Sequence, residues 1–176
     1  MRRAQLLREQ AHPQLFQQPA ELIRARIQHA FELGQTAGVA QRVVDQLAII
    51  GRRVTQLDGS EFRIASMLAG LSPGDVVLSM DVPRHELALL RIQHAAVELG
   101  AVPVVITGPP ATALRVEGGV VVTFSTGSVG AFDSLLGLTV LAELVVNELV
   151  ERRRDDVVER LDALDETWTS TGVFAG

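Results

Sequence analysis

Between residues 79 and 86 the chain runs Ser79-Met80-Asp81-Val82-Pro83-Arg84-His85-Glu86, which gathers a hydroxyl, two carboxylates, a guanidinium and an imidazole. Such a set can hold a small anion and move protons near neutral pH. Each member also has a purely structural role. Pro83 suits a first helical turn, so Asp81 would cap the helix that starts there, worth about 1 kcal/mol. Glu86 is a candidate general base, but a glutamate in the first turn of a helix is equally a partner for the helix dipole. His85 is a proton shuttle or a solvated loop residue. On the sequence no catalytic residue is assigned beyond the candidate Glu86. Two further stretches offer hydroxyls beside glycines: Gly34-Gln35-Thr36-Ala37-Gly38, and Ser125-Thr126-Gly127-Ser128-Val129-Gly130, where Thr126 and Ser128 either meet a ligand or close the turn.

The surrounding pattern decides where these stretches stand. Apolar runs predict strands at about Arg26 to Glu32, Arg53 to Leu57, Val76 to Leu78, Val102 to Ile106 and Val120 to Phe124. Helical spacing fills the intervals. Val39, Val43, Val44, Leu47 and Ile50 line one helix that stops at Gly51. Phe62, Ile64, Ala65 and Leu68 line a second behind Ser60 as N-cap. Leu87, Leu90, Ile92 and Val97 line a third that stops at Gly100. The Ser72-Pro73-Gly74-Asp75 turn leads into the third strand. Strands alternating with helices over short connections predict a doubly wound, three-layer α/β fold around a five-stranded parallel sheet. The fifth strand, apolar but for Thr123, reads as covered on both faces. In such sheets ligands bind at the loops leaving the strands' carboxyl ends, which is where the three candidate stretches fall. Leu135 to Val150 then reads as a long buried or interface helix, and Asp155 to Trp168 as a last helix with Val157, Leu161, Leu164 and Trp168 in a narrow stripe for a partner subunit. The pentapeptide Arg-Ile-Gln-His-Ala occurs at residues 26 to 30, read as strand, and again at 91 to 95, read as helix.

Composition removes several classes of chemistry. The 176 residues suit one domain, read as residues 22 to 169 behind a short extension and ahead of a short tail. Cysteine and lysine are both absent, which rules out disulfides, thiolates, cysteine-held metals and lysine Schiff bases. The four histidines have no metal-ligand spacing, and no cofactor is expected. Sixteen arginines against twenty-one acids give a net charge of −5, which opposes direct contact with a nucleic acid. The run Arg152-Arg153-Arg154 sits among Glu151, Asp155 and Asp156, and reads as a solvated helix end. The polar interruptions Glu143, Asn147 and Glu148 keep the most apolar stretch from spanning a bilayer. A cytoplasmic chain is expected.

Gly74-Asp75-Val76-Val77-Leu78-Ser79, the helix closing at Leu99-Gly100-Ala101, the strand Val104-Val105-Ile106-Thr107 and Ala131-Phe132-Asp133-Ser134-Leu135 ahead of an apolar helix together resemble a sugar isomerase (SIS) domain. The tail from Phe132 to Trp168 is most similar to the effector domains of RpiR-type transcriptional regulators. The resemblance implies a homodimer with a phosphosugar pocket at the strand ends, with Gly34, Gln35, Thr36, Ser79, Asp81, Arg84, Glu86, Thr126 and Ser128 around the ligand. The helix-turn-helix domain that precedes this fold in RpiR-type regulators has no counterpart of its size here. Two loops depart from the family. Where relatives have Gly-x-Gly-x-Ser, this chain has Glu32-Leu33-Gly34-Gln35-Thr36. Where they have Ser-x-Ser-Gly-x-Thr-x-Glu, it keeps Ser79 and Glu86 but places Asp81, Val82 and Arg84 between them. An Asp81 carboxylate about 4 Å from a bound phosphate would cost on the order of 4 kcal/mol at an effective dielectric near 20, unless Arg84 offset it. Three functions follow as alternatives. A phosphosugar-sensing module is placed first, a dimerising remnant whose pocket Asp81 closes is second, and a stand-alone phosphosugar isomerase is third.

Overall fold

The computed structural model describes residues 26–32, 36–83, 87–110, 114–128 and 131–174, with backbone alone for 26–32. Five strands form the central layer: β1 (Arg26–Glu32), β2 (Thr55–Leu57), β3 (Asp75–Met80), β4 (Val102–Thr107) and β5 (Val120–Thr123). They pair in the order β2-β1-β3-β4-β5, and every pairing is parallel. Helices α1 (Ala37–Ile49), α2 (Glu61–Leu68), α3 (Leu87–Glu98), α4 (Leu136–Arg152) and α5 (Arg154–Thr171) complete the chain. The extension before residue 26, and residues 34, 35 and 84 to 86, lie outside the described residues.

β3 is the axis of the fold, with all six residues buried, because helices cover both of its faces. Val76, Leu78 and Met80 point to one side, into a core with Val43 and Leu47 of α1, Leu138, Ala142 and Val146 of α4, and Val157 and Leu161 of α5. Val77 points to the other, where Leu57 of β2, Ile64 and Leu68 of α2, Leu89 and Ile92 of α3, and Val105 of β4 close the second core. The turn before β3 forms as its residues require: Asp75 donates its N–H to the Ser72 carbonyl, and its carboxylate accepts from the Ser72 N–H at 2.8 Å. Ser60 caps α2 by accepting from the Arg63 N–H.

Three expectations are corrected. β5 is an edge strand, and none of its residues is fully buried, since it has only β4 beside it. The stripe on the last helix is not reserved for a partner: Val157 and Leu161 are buried in the chain's own core, with Leu164 packed beside them. Trp168 meets Phe174 edge-to-face at 5.3 Å. The inner faces of two helices are also rotated from the predicted ones. α3 buries Leu89, Ile92, Gln93 and Ala96 and leaves Leu87 exposed, while α2 leaves Phe62 outside.

Candidate functional site

At the carboxyl edge of the sheet the loops are fastened to one another by backbone and hydroxyl contacts. The Asp81 N–H donates to the Ile106 carbonyl and the Phe124 N–H to the Thr107 carbonyl, so the chains leaving β3 and β5 stay bonded to β4 for one residue past the strands. The Thr36 hydroxyl, fully buried at the start of α1, donates to the Met80 carbonyl at 3.1 Å. That bond ties the start of α1 to the end of β3. Farther round, Ser134 N–H donates to the Thr126 carbonyl, and the Ser134 hydroxyl accepts from the Leu136 N–H, which folds the loop after β5 back onto the first turn of α4.

Gly108 is the point on which the loops after β3, β4 and β5 converge. A Cβ there would lie 2.5 Å from Thr126 Cγ2 and 2.9 Å from Pro83 Cδ, so no side chain fits without moving both neighbours. The altered loop is wedged in place at the same point: Val82 is buried in the core below it and Pro83 is half-buried against Gly108. Val82 and Pro83 therefore anchor this loop by apolar packing.

Of the residues singled out in the sequence, Thr36, Ser79, Asp81 and Thr126 stand at this edge, and Ser128 is exposed on the loop after β5. Ser79 is fully buried and its hydroxyl has no hydrogen-bond partner among the described residues, an arrangement that ordinarily costs about 1–3 kcal/mol. Gly34, Gln35, Arg84, His85 and Glu86 lie outside the described residues, as does the helix start that Asp81 was expected to cap; α3 is described from Leu87. Gly108 and Ser134 were not singled out as site residues. The signal for Gly108 was its place between the last strand residue and two prolines, and that for Ser134 the Asp-Ser pair before an apolar helix. No group of three or more His, Asp or Glu side chains that could hold a metal occurs among the described residues, and no described helix is long and apolar enough to cross a membrane.

A parallel sheet in this order, with α1, α4 and α5 on one face, α2 and α3 on the other, and hydroxyls at its carboxyl edge, is a doubly wound α/β architecture. No family model and no curated protein matches the sequence, but solved structures share its fold. The sugar isomerase domain of an RpiR transcription factor from Sphaerobacter thermophilus aligns with a TM-score of 0.74 and 24% identity, over 85% of this chain and 87% of that one. The Vibrio vulnificus NanR protein, solved in complex with ManNAc-6P, aligns with a TM-score of 0.68 and 17% identity over 89% of this chain; the match spans 61% of NanR. A putative phosphosugar isomerase involved in capsule formation in Bacteroides fragilis aligns with a TM-score of 0.66 and 18% identity, over 89% and 90% of the two chains.

Proposed function

We propose that this chain is a cytoplasmic, dimerising SIS-type sensor that binds a phosphorylated sugar or related carbohydrate derivative at the carboxyl edge of its sheet. The observation that carries the reading is Ser79. A hydroxyl fully buried beneath the ligand-facing loop, with no partner among the described residues, is a group whose hydrogen bond is left for something else to complete. Structural likeness to NanR, seen with ManNAc-6P, and to an RpiR sugar isomerase domain supports a phosphosugar as that partner. Thr36, Thr126 and Ser128 supply further hydroxyls, and Arg84 supplies the charge that offsets Asp81. Binding of the ligand biases the loops gathered on Gly108, and through them the start of α4.

A thermal-shift screen against ManNAc-6P and other hexose and hexosamine phosphates tests this. A specific ligand at about a hundredfold excess over its Kd stabilises the chain by about 2.7 kcal/mol. A shift for the native chain is expected. No shift for the native chain, with a shift for Asp81→Ser, would establish instead a pocket closed by its own carboxylate. Conversion of an aldose phosphate to its ketose would replace sensing by isomerisation.

A further inference from the structure

We propose a second anion site, for a phosphate group, at the opposite rim of the molecule. Helix α1 leaves the carboxyl end of β1 and α4 that of β5, so both end at the amino edge of the sheet, where α5 begins. Between these three helix ends is a cavity of about 190 Å³ lined by Gly51, Arg52, Arg153, Asp156 and Arg160, with Leu149 among its apolar walls. At roughly 30 Å³ per water it has room for about six, enough for a tetrahedral oxyanion and part of its hydration.

Its charge runs against that of the whole chain. Three guanidiniums face one carboxylate, a surplus of two positive charges in a protein of net charge −5. The run of three arginines, read from sequence as a solvated helix end, divides in the structure. Arg152 pairs with Glu148 and Arg154 with Glu151, both outside the cavity, while Arg153, paired with Asp156, lines it. Arg52 is engaged within the fold, but Arg160 makes no ion pair or hydrogen bond among the described residues. Its stem lies along Gly51, within 3.8 Å of where a Cβ would be; Gly51 has φ of +76°, a conformation that side chains rarely adopt. A guanidinium fork matches the geometry of phosphate oxygens, and an anion there would join α1, α4 and α5 through charge-assisted bonds.

The test is thermal unfolding of the whole chain in sodium phosphate against sodium chloride at matched ionic strength, with glycerol 3-phosphate in parallel. A saturable rise in Tm with phosphate is expected, at least about tenfold weaker in affinity for Arg160→Gln, as loss of one charge-assisted bond implies, and unchanged for Arg115→Gln, an exposed arginine between β4 and β5. A matching rise with glycerol 3-phosphate assigns the site to phosphomonoesters, and its absence to the free ion. Three results overturn the proposal: no saturable rise, an equal loss in both arginine variants, or a rise that survives Arg160→Gln but is lost in Ser79→Ala, which would place the anion at the strand ends. Because Arg160 is remote from those strand ends, any response to ManNAc-6P there persists in Arg160→Gln, so failure of one site is read separately from failure of the other.

Discussion

Two hydroxyls at the carboxyl edge, alike in sequence, have opposite energetic standing. Thr36 gives its proton to the Met80 carbonyl, whereas Ser79 is buried without a partner among the described residues. In the ligand-free chain Thr36→Val should therefore cost about 1 kcal/mol, the net worth of one such bond. Ser79→Ala should cost nothing or stabilise by up to about 1 kcal/mol, a rise of roughly 2–4 °C in Tm for a chain of this size, while abolishing the response to a phosphosugar. Unfolding of the two variants with and without ManNAc-6P checks both, and a destabilised Ser79→Ala would show that the hydroxyl is already satisfied. A second residue-scale prediction concerns Glu143 of α4. Burial raises its pKa, but hydrogen bonds from Arg42 and Gln46 of α1, together with the Arg42 charge, outweigh this and hold it below the ordinary 4.5. A depressed carboxylate contributes stability that is present above its unfolded value and lost as the pH falls through the folded one. Because both partners are partly exposed, the contribution is at most about 1 kcal/mol. Glu143→Gln should accordingly show a lower denaturant midpoint than the native chain at neutral pH, and the gap should narrow as the pH falls below the ordinary 4.5 and through the lowered folded value. The sequence displayed the site's hydroxyls but not their bonding, because a hydroxyl's partner depends on which strand end it is folded against.

At the scale of elements, glycine spacing and apolar runs located the strands, since a parallel sheet covered on both faces needs nearly unbroken apolar segments. The pentapeptide at residues 26 to 30 lies in β1, and its copy at 91 to 95 lies in α3. Nothing local to those five residues decides between the two. The first copy is bracketed by β2 and β3 and completes their ladders, while the second is carried by the helical spacing of its flanks. What the sequence concealed was the angular setting of helices: α3 buries Gln93 and exposes Leu87 because its orientation is fixed by the layer beneath it. The stripe on α5 was legible as apolar, but a stripe does not state which surface covers it. The convergence of three loops on Gly108 was likewise invisible, being a contact among segments distant in sequence. It yields a prediction. Gly108→Ala would drive a methyl to 2.5 Å from Thr126 Cγ2, costing about 1–3 kcal/mol as overpacking does. Adding Thr126→Ser removes that methyl contact and should restore part of the loss, with the Pro83 contact retaining the rest. A double-mutant cycle by chemical denaturation measures the coupling, and additive losses would mean that the loops part freely.

For the whole molecule the open matter is what meets the outer side of α4. Its inner side, Leu138, Ala142, Val146 and Leu149, is buried in the core, yet Leu136 is 71% exposed, Val140 is 49% exposed one turn on, and Phe132 on the preceding loop is 82% exposed. Exposed large apolar side chains gathered at the start of one helix mark an interaction surface. Burying each would contribute about 1.5–3 kcal/mol, and a second copy of the chain is the occupant the proposed sensor requires. Leu136→Glu tests this cleanly, because an exposed side chain adds little to the fold of its own subunit. The native chain should sediment as a dimer and the variant as a monomer with unchanged circular dichroism; equal sedimentation of the two would show that dimerisation, if any, uses another face. The position also has a consequence for sensing. Leu136 opens the helix whose first turn is bonded, through Ser134, to the Thr126 loop. A ligand that settles the loops on Gly108 would thereby set the contact surface of α4, and by linkage the dimer would bind ligand more tightly than the monomer. The ligand-induced rise in Tm should therefore grow with protein concentration in the native chain, and lose that dependence in Leu136→Glu.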